Sequence, residues 1–283
     1  VKEKQDTFDM NQERGATMAT VSVIMGIYNC ADTLPQCVDS ILAQTYPDWE
    51  LIMCDDCSKD DTYDIASKYA QKYDNIVVLR NEKNYKLAYT LNRCLAYANG
   101  KYIARMDADD ISLPTRFEKQ VAFLDGHPEY HVVGSSVIVF DETGDKLIRK
   151  STEHPVKECL KKTVPFTHPT IMMRKEVYDV LGGYQVLKRT NRCEDRDLWF
   201  RFFAEGFGGY NIQEPLLKYH ESLSDYKKRN LKSAWQGAQT RLYGYRLLHF
   251  PLSDYPYLVR PIISALVPDK VMYYYQKNLR GKR

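Results

Sequence analysis

No run of roughly eighteen consecutive apolar residues occurs in this chain, so no segment is expected to cross a bilayer as a helix. The best candidate, residues 257–267, is short and interrupted by Arg260 and Pro261. Charge of one sign is scarce too. Forty Lys and Arg against 37 Asp and Glu leave a net charge of +3, too little to argue for a nucleic-acid partner. No stripe of interleaved aromatic and basic residues suits a single strand either. Seven cysteines (30, 37, 54, 57, 94, 159 and 193) are an odd count, and no signal-peptide pattern accompanies them. Reduced thiols in the cytoplasm are therefore expected. Cys54-x-x-Cys57 has no second such pair and sits where a strand ends, so structural cysteines are expected rather than a zinc or redox site. There is no internal repeat and no low-complexity linker, which favours one main domain over several.

What is present is ordinary for a soluble globular protein: 44% hydrophobic and 27% charged residues over 283 positions, with 22 tyrosines. Residues 1–18 are polar and aperiodic and are expected to form a disordered arm. From Val21 the texture changes. The run Val21-Ser22-Val23-Ile24-Met25-Gly26-Ile27 reads as a buried strand, followed by an amphipathic helix from Asp32 with Leu34, Cys37, Val38, Ile41 and Leu42 inward. Strands are expected at 49–54, 76–79 and 102–106, with helices at about 62–73 and 85–98 between them. Such alternation predicts a mostly parallel sheet with helices on both faces. A helix to about 124 and a strand over 132–140 with a turn at 142–145 follow. The region 150–193 is less regular. Helices are expected over 195–205, with Leu198, Trp199, Phe202 and Phe203 inward, and over about 225–248, carrying many Lys and Arg.

The segment Gly100-Lys101-Tyr102-Ile103-Ala104-Arg105-Met106 runs straight into Asp107, Asp109 and Asp110. Strand ends in open α/β sheets are where ligands bind. Carboxylates crowded there repel one another unless a cation sits among them. Hard divalent ions such as Mg²⁺ or Mn²⁺ take oxygen ligands and bridge carboxylates to phosphates. The competing reading is a solvated acidic turn ahead of the helix that Pro114 and Arg116 begin.

The order of these pieces resembles the family 2 glycosyltransferases. The matching elements are Val21 to Asn29, Asp55-Asp56-Cys57-Ser58 with Asp60-Asp61-Thr62, and Gly100 to Ile103 leading to Asp107-Ala108-Asp109-Asp110. Gly182-Gly183-Tyr184, Glu194-Asp195 before Leu198-Trp199, and His220 four residues before Ser224 complete the set. The resemblance implies an α/β, GT-A nucleotide-diphospho-sugar transferase fold: a mostly parallel central sheet flanked by helices, with a helical C-terminal extension. It would divide the chain into the arm, a catalytic domain at 19–224 and the extension at 225–283. It also implies an inverting transfer from a nucleotide-sugar, a UDP-sugar, using Mn²⁺ or Mg²⁺, to a saccharide or lipid-linked saccharide acceptor in cell-surface polysaccharide biosynthesis.

By that resemblance Asp56 accepts the imide N–H of a uracil, with Tyr28 and the Ile27 backbone beside the base and Asn84 on the donor side. Asp107 faces the ribose, Asp109 holds the metal and His220 is a further metal or phosphate contact. Asp195 is the general base, taking the acceptor hydroxyl proton, and Glu194 and His168 lie on the acceptor side. A plain first-turn acid, with Glu194 and Asp197 equally exposed, is the alternative for Asp195; for Asp56 it is an Asx-turn. One departure stands out. Members with Asn-x-Gly before the metal motif have a glycine where this chain has Asn84-Tyr85-Lys86, which puts the loop near the donor sugar in question. Two rival functions remain. A sugar nucleotidyltransferase would show a Gly-rich phosphate loop after the first strand, where Gly26-Ile27-Tyr28-Asn29-Cys30 stands instead. A non-catalytic sugar- or nucleotide-binding module would be expected to have lost Asp109 or Asp195. Residues 253–283 mix aromatic and aliphatic groups with terminal Lys and Arg. That composition suits an anionic membrane surface at the inner face of the cell membrane, or else packing on the domain or on a second subunit.

Overall fold

The computed structural model describes residues 19–221 and 231–267. The expected disordered arm at 1–18, residues 222–230 with Ser224, and the basic tail at 268–283 with its three consecutive tyrosines lie outside the described residues.

The alternation read from the sequence is realised: β1 (Val21–Ile27), α1 (Leu34–Leu42), β2 (Trp49–Asp55), α2 (Thr62–Lys72), β3 (Ile76–Arg80), α3 (Leu87–Tyr97) and β4 (Tyr102–Arg105). These four strands pair in parallel in the order β3-β2-β1-β4. β1 lies between β2 and β4 and is covered on both faces, which is why it reads as one apolar run rather than an alternation. Gly100 sets the start of β4. A Cβ there would stand 2.6 Å from the Ser22 backbone nitrogen, so only glycine permits the approach. Its N–H donates to Ser22 Oγ at 2.7 Å.

The second half adds β5 (Ile111–Ser112), α4 (Arg116–Gly126), β6 (Val132–Asp141), β7 (Gly144–Arg149), β8 (Met172–Arg174), α5 (Lys175–Leu181), α6 (Glu194–Ala204), β9 (Gly209–His220), α7 (Leu231–Leu247) and α8 (Arg260–Leu266). The full order is β3-β2-β1-β4-β8-β6-β9-β5, with β7 paired to β6. β8 is antiparallel to β4 and to β6, while β9 runs parallel to β6, so β6 and β9 point the same way as the first four strands. β5 and β7 run opposite to them. The sheet is mostly parallel, as expected.

Two cores flank it. α1, α2 and α4 cover one face, through Leu34, Val38, Ala66, Phe117 and Leu124. The other face is covered by α3, α5, α6 and α7, through Leu91, Val177, Trp199, Phe200 and Tyr245.

The structure departs from the sequence expectation in three places. β9, twelve residues long, has no counterpart there. Pro215 interrupts its pattern, and the pairing to β6 shifts register around Ser136, opposite that proline. The irregular stretch before residue 193 contains β8 and α5. Phe203, expected inward, is only partly buried, and Phe200 takes the fully buried place. All seven cysteines are free thiols.

Candidate active site

β4 delivers Arg105 and then the acidic turn to the carboxyl end of the sheet. Single carboxylate oxygens of Asp107, Asp109 and Asp110 lie within 4.8 Å of one another. They are not equivalent. Asp110 is buried; one of its oxygens accepts the His220 backbone N–H at 2.8 Å, and the other has no hydrogen-bond partner among the described residues. That bond holds the end of β9 against the turn and brings His220 Nδ1 to 3.7 Å from Asp109 Oδ2. Asp109 keeps about half of its side chain exposed. Asp107 pairs with the Arg105 guanidinium. Burial, followed by the Asp107 charge, raises the Asp109 carboxyl; the same causes, joined by Asp109 itself, raise Asp110 well above the ordinary carboxylate range. Crowded carboxylates with a buried oxygen left over fit a hard divalent cation better than a solvated turn.

The residues expected around the nucleoside sit at the ends of β1 and β2. Ile27 is buried, and its carbonyl accepts the Asp56 N–H at 2.9 Å. Tyr28 is exposed just beyond it. Asp56 is buried and already engaged: Oδ1 accepts from Asn81 Nδ2 at 2.7 Å and the Tyr85 N–H at 2.8 Å, Oδ2 from the Lys86 N–H at 2.9 Å. In the Asp55–Ser58 turn it is Asp55, not Asp56, that accepts the Ser58 N–H. Asp56 thus staples the 84–86 loop to the sheet. Within that loop Lys86 stands at the glycine position of Asn-x-Gly and takes a positive φ (+75°), which glycine adopts freely and lysine only under strain, so the departure falls on Lys86 rather than on Tyr85. Asn84 Oδ1 is buried without a hydrogen-bond partner among the described residues.

Across from the acidic turn stands the N-terminus of α6. Asp195 and Glu194 both line a cavity of about 1830 Å³, whose wall also includes Asp107, Asp109, Arg105 and His220. Tyr85 and Lys86 line it too, whereas Ile27, Tyr28, Asp56 and Asn84 are not among its lining residues. Asp195 Oδ1 accepts the Arg196 N–H at 2.7 Å. Burial, then the Asp195 charge, pushes the Glu194 carboxyl up to about 7. Asp197 corrects the expectation of equal exposure. It is fully buried, 2.5 Å from Arg189 Nη1 and 2.8 Å from Arg201 Nε, and serves as an anchor for the helix. His168 lies in the cavity wall, its Nε2 2.8 Å from the Tyr184 hydroxyl. Burial, with the nearby Arg105 charge, drives it well below the usual histidine range, so it is neutral.

Arg105 is the functional candidate that sequence reasoning missed, because it lies inside a run read as apolar. Its signal was available: a lone arginine in a central, doubly covered strand has to be explained by what it faces.

Residues 22–182 match the family Glycosyl transferase family 2. The chain belongs to that family. It is 49% identical over 259 residues to EpsE of Bacillus subtilis (strain 168), which bears a provisional glycosyltransferase name, covering 91% of this chain and 93% of EpsE. It is 29% identical over 272 residues to the amylovoran biosynthesis glycosyltransferase AmsE of Erwinia amylovora, covering 92% and 99%. S. aureus TarS, solved with UDP, superposes with a TM-score of 0.61 at 18% identity, over 92% of this chain and 86% of that one. The fold of this glycosyltransferase is the GT-A fold that the sequence motifs implied.

Proposed function

We propose that this glycosyltransferase transfers a sugar, with inversion, from a UDP-sugar to a hydroxyl of a saccharide or lipid-linked saccharide acceptor, in the synthesis of a cell-surface polysaccharide. One observation carries the reading. The acidic turn after β4 and the Glu194–Asp195 pair face the same cavity from different elements, one suited to a diphosphate and the other to an acceptor. AmsE's role in amylovoran synthesis supports the polysaccharide setting, and the UDP in TarS supports the donor.

Asp109 with His220, backed by Asp107 and Asp110, would hold a Mn²⁺ or Mg²⁺ ion. Such an ion, when bound, offsets charge on the leaving diphosphate. Asp195 takes the proton of the acceptor hydroxyl while that oxygen attacks the anomeric carbon from the side opposite the diphosphate. The new glycosidic C–O bond forms as the bond to the diphosphate breaks. Asp195 is fixed for this by its place in the first turn of α6, where its Oδ1 accepts the Arg196 N–H. Trp235, Leu252, Val259, Ile263 and Leu266 are exposed on or beside α7 and α8, while Lys232 and Arg260 of the same helices line the cavity. This pairing suits a lipid-borne acceptor entering from an anionic membrane surface. Flotation with phosphatidylglycerol vesicles checks that part: protein left in solution at low salt removes it.

UDP release from UDP-glucose, UDP-galactose, UDP-N-acetylglucosamine and UDP-glucuronate tests the activity. Release is expected with Mn²⁺ or Mg²⁺ from at least one donor, and its loss with chelator. Metal-independent release from all four, or none under any condition, contradicts the proposal.

A further inference from the structure

Arg105 is buried, with 2% of its surface exposed, yet it lines the cavity. Its backbone is fixed on both sides: its N–H donates to the Ile171 carbonyl at 3.0 Å, and its carbonyl accepts from Arg116 Nη2 at 2.9 Å. The guanidinium therefore projects from a rigid strand end. Nη1 pairs with Asp107, but Nε has no hydrogen-bond partner among the described residues. An arginine offers five donors and stays charged, so leaving donors unmet inside a protein is costly. The neighbouring chain Tyr178 hydroxyl–Tyr184 hydroxyl–His168 Nε2, at 3.1 and 2.8 Å, is satisfied without it. Position narrows the partner. Arg105 lines the cavity together with Asp107 and Asp109 of its diphosphate end and Glu194 and Asp195 of its acceptor end, and its charge is felt by Asp109, Asp110 and Glu194. The group that lies between a diphosphate and an attacking hydroxyl is the sugar being transferred.

We propose that Arg105 binds the donor sugar itself, donating to a hydroxyl or acyl oxygen of the sugar ring, and so helps determine which sugar is accepted. This rests on the UDP-sugar transferase reading above. A rigid guanidinium suits the task because it loses little freedom on binding and its donors diverge in a fixed plane. The nucleotide is not its target, which separates Arg105 from a residue acting only through Asp107.

The test is calorimetric binding of UDP and of the four UDP-sugars, in Mn²⁺, to the parent protein, Arg105→Gln and Arg105→Lys. For the best-bound sugar the ratio of the UDP-sugar Kd to the UDP Kd should rise about tenfold in Arg105→Gln, with UDP itself bound within about threefold of the parent. Arg105→Lys, which keeps the charge but not the fork, should fall between them, and it carries the test if Arg105→Gln fails to melt cooperatively. An unchanged ratio, or parallel loss of UDP and UDP-sugar affinity, overturns the inference while leaving the transferase reading intact. A parent protein that binds neither UDP nor any of the four sugars overturns both.

Discussion

Asp195 and Asp197 are two residues apart in the first turn of α6, and in the sequence nothing separates them. The helix does. Two residues of α-helix turn about 200°, so the two side chains face opposite ways. Asp195 meets the cavity, while Asp197 is sealed between Arg189 and Arg201. The acidic turn was legible because three carboxylates at a strand end are costly without a reason; Arg105 showed only as a lone charge in an apolar run, which does not break the run and does not by itself say what the side chain faces. Glu194 makes the site sensitive to pH. Its carboxyl ionises near 4.5 in an unfolded chain but only near 7 in the fold, where burial and Asp195 oppose the charge. The folded protein therefore holds the extra proton between these values. The stabilisation is complete below the unfolded value and is lost as pH rises through about 7. Glu194→Gln has no proton to lose. Its melting temperature should exceed that of the parent at pH 8 and approach it at pH 4. A gap equal at both pH values would show that Glu194 is not held protonated.

At the scale of elements, the first four strands were legible because a parallel sheet buried on both faces leaves continuous apolar runs. β9 was not. It mixes Gln213, Glu214, Pro215, Lys218 and His220 into one strand, and it is defined by pairing to β6 rather than by its own pattern. Yet β9 supplies His220, so a part of the site hangs on the element hardest to read. α7 touches the site through packing. Gly244 lies against the Phe200 ring of α6, where a Cβ would fall 2.1 Å from Phe200 Cγ. Gly244→Ala should force α7 away from the helix that carries Asp195. The expected cost is about 2 kcal/mol, a fall of roughly 4 °C in melting temperature, measurable by calorimetry. A variant as stable as the parent would mean that α7 shifts on α6 without penalty.

In the whole molecule, the sheet brings together groups that lie far apart in the chain. Its parallel half ends in the acidic turn, the β6–β9 half brings His220 to it, and α6 closes the far wall with Asp195. The backbone is held left-handed at Asn29, Cys57, Lys86 and Arg192, close to the expected donor and acceptor residues, in keeping with strain kept where a ligand must be gripped. The two carboxylate groups are assigned different tasks, and a paired measurement on two variants separates them. Turnover and Mn²⁺-dependent UDP affinity are compared for Asp195→Asn and Asp109→Ala. Asp195→Asn should lose at least about a hundredfold in turnover while binding UDP as the parent does. Asp109→Ala should lose both turnover and the gain in UDP affinity that Mn²⁺ confers. If Asp195→Asn turns over normally, or Asp109→Ala keeps its metal-dependent affinity, the division of labour between the two walls of the cavity is wrong.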